Sequence, residues 1–118
     1  MIPLVGCVAI CLSLLTPVAA KTACLSVTAD RTDERESPDP DKPWWFILVS
    51  VTNNCGGDFK MVEVECAWLK GGEAVGVDHS QVYNLLKGDT ARTEIFTNKH
   101  GAAFDSVNCR IGDVYEAN

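Results

Sequence analysis

The chain has 118 residues, a length that fits one domain. Its 16 acidic and 10 basic side chains give a formal net charge of −6 at pH 7. Nucleic acids and anionic membrane surfaces are bound through clusters of basic side chains, so this acidity argues against both as partners. A domain of this size buries only a modest core, and covalent cross-links often add to its stability.

Residues 1 to 20, MIPLVGCVAICLSLLTPVAA, predict a signal peptide. They contain no charged side chain, and the apolar run from Ile2 to Leu15 is shorter than the ~20 residues that a membrane span needs. The segment ends in Val-Ala-Ala, small residues of the kind that signal peptidase requires. We expect cleavage after Ala20, leaving residues 21 to 118 as a single periplasmic or secreted domain. An uncleaved membrane anchor is the alternative.

The mature chain opens with a predicted strand and an acidic segment. Residues 23 to 30, ACLSVTAD, alternate apolar and polar side chains, which is the period of a strand. Residues 31 to 43, RTDERESPDPDKP, are charged and proline-rich and predict a loop. Calcium loops need a glycine turn, and this segment has no glycine, so its carboxylates are interpreted as solvated.

Residues 44 to 52, WWFILVSVT, give the strongest strand signal in the chain because they are almost all β-branched or aromatic. Alternation directs one set toward the core: Trp45, Ile47, Val49 and Val51. The other set then lies on the outer face: Trp44, Phe46 and Leu48. Three large apolar side chains on a solvent face would form an interaction patch for a protein partner. The alternative is that residues 31 to 43 or another strand covers them.

The rest of the chain predicts further short strands. A turn at NNCGGD leads to a strand at 60 to 69, and KGGE at 70 to 73 predicts a tight hairpin connection. AVGVDHSQVYNLL predicts short strands with a break, KGD a turn, TARTEIF a strand, FDSVNCRI the closing strand and GDVYEAN a tail. About six or seven strands at roughly ten-residue spacing indicate an all-β antiparallel sandwich.

Four cysteines remain after the signal peptide: Cys24, Cys55, Cys66 and Cys109. An even number in an exported chain indicates disulfides. Cys66 and Cys109 each share a strand face with large apolar residues, so both point into the core and suit a bridge to each other. Cys24 opens the first strand and Cys55 follows the second. If these strands pair antiparallel, the two cysteines are neighbours, which predicts the second bridge.

No segment carries a recognisable catalytic or cofactor-binding arrangement. Zinc sites usually bring two ligands close together in sequence, which is not the case here, and His79 and His100 in their polar contexts are interpreted as solvated. Gly56 and Gly57 are followed by a strand, whereas a phosphate-binding loop is followed by a helix. We therefore predict no catalytic, cofactor or metal residues, and a protein that is not an enzyme.

The order of the motifs resembles the FxLYD domain, a bacterial extracytoplasmic immunoglobulin-like sandwich. The matching segments are VSVTNN, VEVECAWL, GGEAVG, LKGDT and the closing SVNCRI, together covering roughly residues 45 to 112. The Leu-Tyr-Asp of the family is Trp68-Leu69-Lys70 here, and Lys87 stands where the family has proline. The resemblance implies an immunoglobulin-like fold and a non-catalytic module whose partner is not specified.

Two functions follow as expectations, an exported binding module and a structural accessory protein of the cell envelope. They differ only in whether the partner is permanent. A small hydrolase is the third alternative, but it would need a nucleophile with a base, a carboxylate pair in a cleft, or a metal, and no such set stands out in the sequence.

Overall fold

The computed structural model describes residues 23–35, 44–97 and 104–117, and these form two antiparallel sheets. The described residues contain no helix. Their six strands are β1 (Leu25–Arg35), β2 (Trp44–Asn53), β3 (Phe59–Lys70), β4 (Glu73–Leu85), β5 (Thr90–Thr97) and β6 (Ser106–Glu116). The first sheet has the order β1-β2-β5 and the second the order β4-β3-β6. The predicted all-β sandwich is confirmed.

The core lies between the central strands of the two sheets. Side chains along a strand alternate between faces, so every second residue of β2 and β3 points inward. The inward residues of β2 are fully buried at Ile47, Val49 and Val51, and those of β3 at Val62 and Val64. Burying one such side chain contributes about 1.5–3 kcal/mol, so this layer is the main force that holds the sheets face to face.

Aromatic rings close one end of the sandwich. Phe104, which precedes β6, lies between Trp45 of the first sheet and Trp68 of the second, with ring centroids 5.0 and 4.7 Å away and both contacts edge-to-face. The indole N–H of Trp68 donates a 2.8 Å hydrogen bond to the carboxylate of Asp78 on β4. The ring therefore packs in the core while its polar group is satisfied.

A buried asparagine organises the other end. Asn53 is 0% exposed, and its amide nitrogen donates to the carbonyls of Gly57 and Leu85 at 3.0 and 3.1 Å. Its amide oxygen accepts from the backbone N–H of Cys55 at 2.9 Å. One side chain thus ties the β2–β3 turn to the end of β4, and a buried polar group is stable there because it is fully hydrogen-bonded.

Two glycine turns fix the registers of the hairpins. Gly71 and Gly72 both have positive φ, 58° and 84°, as a two-residue type I′ connection between β3 and β4 requires. Gly88 has φ 85° in the turn from Leu86 to Asp89. In this turn the backbone N–H of Lys87 donates to the Asp58 carboxylate at 2.8 Å, a bond that proline at this position would remove.

Three predicted boundaries were wrong. β1 continues through Arg35, so the first five residues of the predicted 31–43 loop belong to a strand, held by the β2 backbone opposite them; residues 36–43 lie outside the described residues. β4 is a single strand without a break. The predicted tail pairs with the start of β3 as the second half of β6.

Both predicted disulfides are confirmed, and each links two neighbouring strands of the same sheet. Cys66 and Cys109 are direct cross-strand partners on β3 and β6, with Cα atoms 4.0 Å apart. Cys24, which immediately precedes β1, is bonded to Cys55 in the turn after β2, so this bridge links the adjacent ends of two paired strands. Disulfides of this kind are typical of proteins that fold in an oxidising compartment.

The predicted signal peptide, residues 1 to 20, lies outside the described residues. The described parts of the chain contain no helix that is long and apolar enough to span a membrane.

Candidate functional site

The outer face of the first sheet carries an apolar patch, defined here as Trp44, Phe46, Leu48 and Phe96. Phe46 on β2 is paired directly with Phe96 on β5, and their ring centroids are 5.6 Å apart. Phe96 is 53% exposed, whereas the other three side chains are half-buried. The alternation predicted for β2 is therefore present, and the structure adds a fourth member, Phe96, from the strand that TARTEIF predicted but that was not linked to the patch.

Charged residues border the patch on both sides. Arg31 and Asp33 of β1 lie opposite Leu48 and Phe46 and form an ion pair with each other at 3.0 Å. Glu94 of β5 lies opposite Leu48 on the other side. An apolar centre with a charged rim is the usual anatomy of a protein–protein interface.

The other half of the same face is polar and satisfied by its own contacts. Asp30 accepts hydrogen bonds from the hydroxyls of Ser50 and Thr28 and lies 3.9 Å from the guanidinium of Arg92. The Ser50 bond, then the Thr28 bond, lowers the pKa of Asp30; desolvation opposes them, and the charge of Arg92 adds a smaller lowering effect. This half of the face is a hydrogen-bonded network, so the exposed apolar area is confined to the patch.

The alternative, in which residues 31 to 43 cover the patch, does not hold for the described residues of that segment. Residues 31–35 lie alongside β2 as its strand neighbour, so they border the patch and do not cross over it. The remainder of that segment lies outside the described residues. The role of Trp44, Phe46 and Leu48 in binding a partner stays a prediction.

The outer face of the second sheet holds a groove that the sequence reasoning missed. Met61 of β3 is paired with Tyr83 of β4 on one side and Tyr115 of β6 on the other. The two tyrosines are 66% and 60% exposed, and they border a groove of about 830 Å³. Tyr115 falls in the segment read as a tail and Tyr83 in the segment read as broken, so neither was placed on a sheet face.

Close to this groove, two carboxylates and an imidazole come together. Glu63 and Glu65 project from β3, and His79 of β4 is the cross-strand partner of Glu65. One ligand atom from each of the three lies within 4.8 Å of the others. His79 is exposed, as predicted, but it has two carboxylate neighbours. This cluster could be found from the sequence only through the register of the β3–β4 hairpin, which places a Glu-x-Glu strand opposite a histidine.

The hydroxyl next to His79 in sequence is engaged elsewhere. Ser80 points to the inner face, where its hydroxyl and that of Thr93 on β5 are hydrogen-bonded at 2.7 Å. This bond connects the two sheets. Ser80 is therefore on the opposite side of β4 from His79 and does not form a nucleophile–base pair with it.

Comparisons with known proteins identify no relative of this chain. The chain matches no protein-family model, no curated protein and no solved structure at a significant level.

Proposed function

We propose that the chain is an exported, non-catalytic binding module that contacts a protein partner through the apolar patch. The observation that carries this proposal is the Phe46–Phe96 pair, in which a phenyl ring remains 53% exposed on the outer face of a sheet whose inner face packs in the core. Large apolar side chains in a contiguous exposed patch are typical of interaction surfaces.

The exposed ring has no evident role in folding. The core is built from the inner faces and does not include Phe96, whose ring packs against that of Phe46 on the outer face. A phenylalanine side chain buries roughly 200 Å², so covering its exposed half would remove about 100 Å² from water. At about 25 cal/mol per Å², this is worth up to about 2.5 kcal/mol to a partner that covers it.

The proposal includes export of the chain to an oxidising compartment. Two disulfides support an oxidising environment, and the uncharged apolar residues 1 to 20 support export to the periplasm or the exterior. A six-stranded sandwich with glycine turns after β3 and β4 is compatible with an FxLYD-like, immunoglobulin-like domain. Such a domain serves as a recognition module on a rigid scaffold.

The experiment compares capture by matched variants. Immobilised wild-type protein, Phe96→Ser and Tyr115→Ser are incubated with extract of the exporting cells, and bound proteins are quantified by mass spectrometry. Phe96 and Tyr115 are similarly exposed aromatics, at 53% and 60%, on opposite sheets. A partner retained by wild type and by Tyr115→Ser but lost from Phe96→Ser supports the proposal. Loss from Tyr115→Ser alone would place binding on the second sheet and contradict it.

A further inference from the structure

The outer face of the second sheet brings together the donor atoms of a metal site. Glu63 and Glu65 are two residues apart on β3, and the residues between and beside them, Val62, Val64 and Cys66, are 0% exposed in the core. Both carboxylates therefore emerge on the same outer face. His79 lies directly across from Glu65 on β4, at the separation where opposite side chains meet.

From this arrangement we infer that Glu63, Glu65 and His79 bind a zinc ion. One ligand atom from each residue lies within 4.8 Å of the other two. Zinc binds imidazole nitrogen and carboxylate oxygen at about 2.0–2.2 Å, so the ligand atoms around a tetrahedral ion stand about 3.4 Å apart. The largest separation must therefore shrink by about 1.4 Å, which rotations about side-chain bonds of two glutamates and an exposed histidine provide.

A glycine in the neighbouring strand makes room for one of these ligands. Gly112 lies in β6, and a Cβ atom at this position would stand 2.5 Å from Oε1 of Glu63. Glycine inside a strand is unfavourable, and it often marks a place where another group must approach closely. Here that group is the Glu63 carboxylate, which lies against the bare backbone of β6.

An arginine orients the second carboxylate and leaves it able to accept a further bond. Arg110 of β6, the other cross-strand neighbour of Glu65, donates to Oε1 of that residue at 2.8 Å. A carboxylate has two oxygens and about four lone-pair positions, so Glu65 can accept this bond and still ligate an ion. Ligating carboxylates are commonly held by such outer hydrogen bonds. Two carboxylates and one guanidinium leave the cluster with a net negative charge.

The donor set selects the metal. One imidazole with two carboxylates suits zinc, whereas calcium takes six to eight oxygen ligands, more than this flat face offers. Three protein ligands leave one position of a tetrahedral ion open, and the exposed side of His79 places this position toward solvent. The open position accepts water or a donor atom from a docked molecule.

Zinc titration of the disulfide-bonded protein tests the inference. Isothermal titration with zinc chloride should show one saturable site per chain in wild type. His79→Gln and Glu63→Gln should each weaken zinc binding by more than about tenfold, since even loss of an outer hydrogen bond to a ligand costs about ten- to a hundredfold.

Matched controls separate this site from general affinity for zinc. His100→Gln removes the only other histidine, and Glu73→Gln removes an exposed carboxylate from β4; both should bind as wild type does. Unfolding curves recorded without metal establish that each variant is folded. The inference is overturned if wild type has no saturable site, if His79→Gln binds zinc as tightly as wild type, or if calcium chloride is bound in preference to zinc.

Discussion

Removing the two disulfides one at a time separates the effect of cross-linking from the effect of core packing. The bridges enclose 31 and 43 residues, for Cys24–Cys55 and Cys66–Cys109 respectively. The chain-entropy estimate gives about 3.7 and about 4.0 kcal/mol for loops of these sizes, a difference of only about 0.3 kcal/mol. On cross-linking alone, the double variants Cys24→Ala/Cys55→Ala and Cys66→Ala/Cys109→Ala would be almost equally destabilised.

Core packing breaks this near-equality. Cys66 is 0% exposed and belongs to the layer of Val62, Val64 and Trp68, whereas Cys24 and Cys55 are only partly buried. Loss of a buried atom of this size leaves a small cavity and typically costs about 0.5–1.5 kcal/mol. We therefore expect Cys66→Ala/Cys109→Ala to be less stable than Cys24→Ala/Cys55→Ala by about 1 kcal/mol in the free energy of unfolding.

Equilibrium unfolding in urea, followed by tryptophan fluorescence, measures this difference in stability. The single substitutions test the same contribution of core packing. Cys66→Ala should destabilise more than Cys55→Ala. Equal slopes against urea would establish that the two double variants expose similar surface on unfolding. If the Cys24–Cys55 bridge proves the more important one, or if the two cost the same, then the packing of the Cys66 sulfur in the core does not contribute as argued.

Three further predictions follow from export, charge and burial. Intact-mass measurement of the exported protein should place the N-terminus at Lys21, and a retained Met1 in the membrane fraction would show an anchor instead. Because its hydrogen bonds lower the pKa of Asp30 from 3.8, this group stabilises the fold above that pH and its contribution disappears in acid; the small Tm advantage of wild type over Asp30→Asn should shrink as the pH falls, not grow. Asn53→Ala should cost about 3 kcal/mol in urea unfolding because it removes one buried and two part-buried hydrogen bonds to the backbone, and a loss below about 1 kcal/mol would mean that the turns hold without it.

The sequence was most informative where a strand has one buried face. The central parts of β2 and β3 alternate, so the inward sides of Val49 and Cys66 followed from period two. The Cys66–Cys109 bridge followed from the same period on the closing strand, whereas Cys24–Cys55 also required an antiparallel pairing of the first two strands. The hairpin at Gly71 and Gly72 was equally accessible, because a two-residue turn of this type needs positive φ at both positions.

Elements held by backbone pairing were harder to predict. Residues 31–35 and the segment after Gly112 have few apolar side chains, and both are strands because a neighbouring strand offers hydrogen-bonding partners. Their own composition indicates a loop and a tail. Phe104 lies before β6 and is not part of an alternating strand pattern. Its position between Trp45 and Trp68 is set by the tertiary fold.

The candidate sites depend on register, which is a property of two strands at once. Trp44, Phe46 and Leu48 could be assigned to one face from β2 alone, but Phe96 joins them only through the β2–β5 pairing. In the same way, His79 meets Glu65 only in the observed β3–β4 register, which includes an irregularity between Trp68 and Leu69. A slip of one residue would move every side chain of the strand to the other face.

The affinity of the captured partner for single-site variants tests the central claim most directly. Burial of the exposed half of Phe96 is worth up to about 2.5 kcal/mol, so Phe96→Ser should raise the Kd for the purified partner by up to about 70-fold. Tyr115→Ser, of comparable exposure on the opposite sheet, should change the Kd less than about twofold. A Kd that is unchanged in Phe96→Ser, with the variant folded as wild type is, would contradict the assignment of the apolar patch as the binding surface.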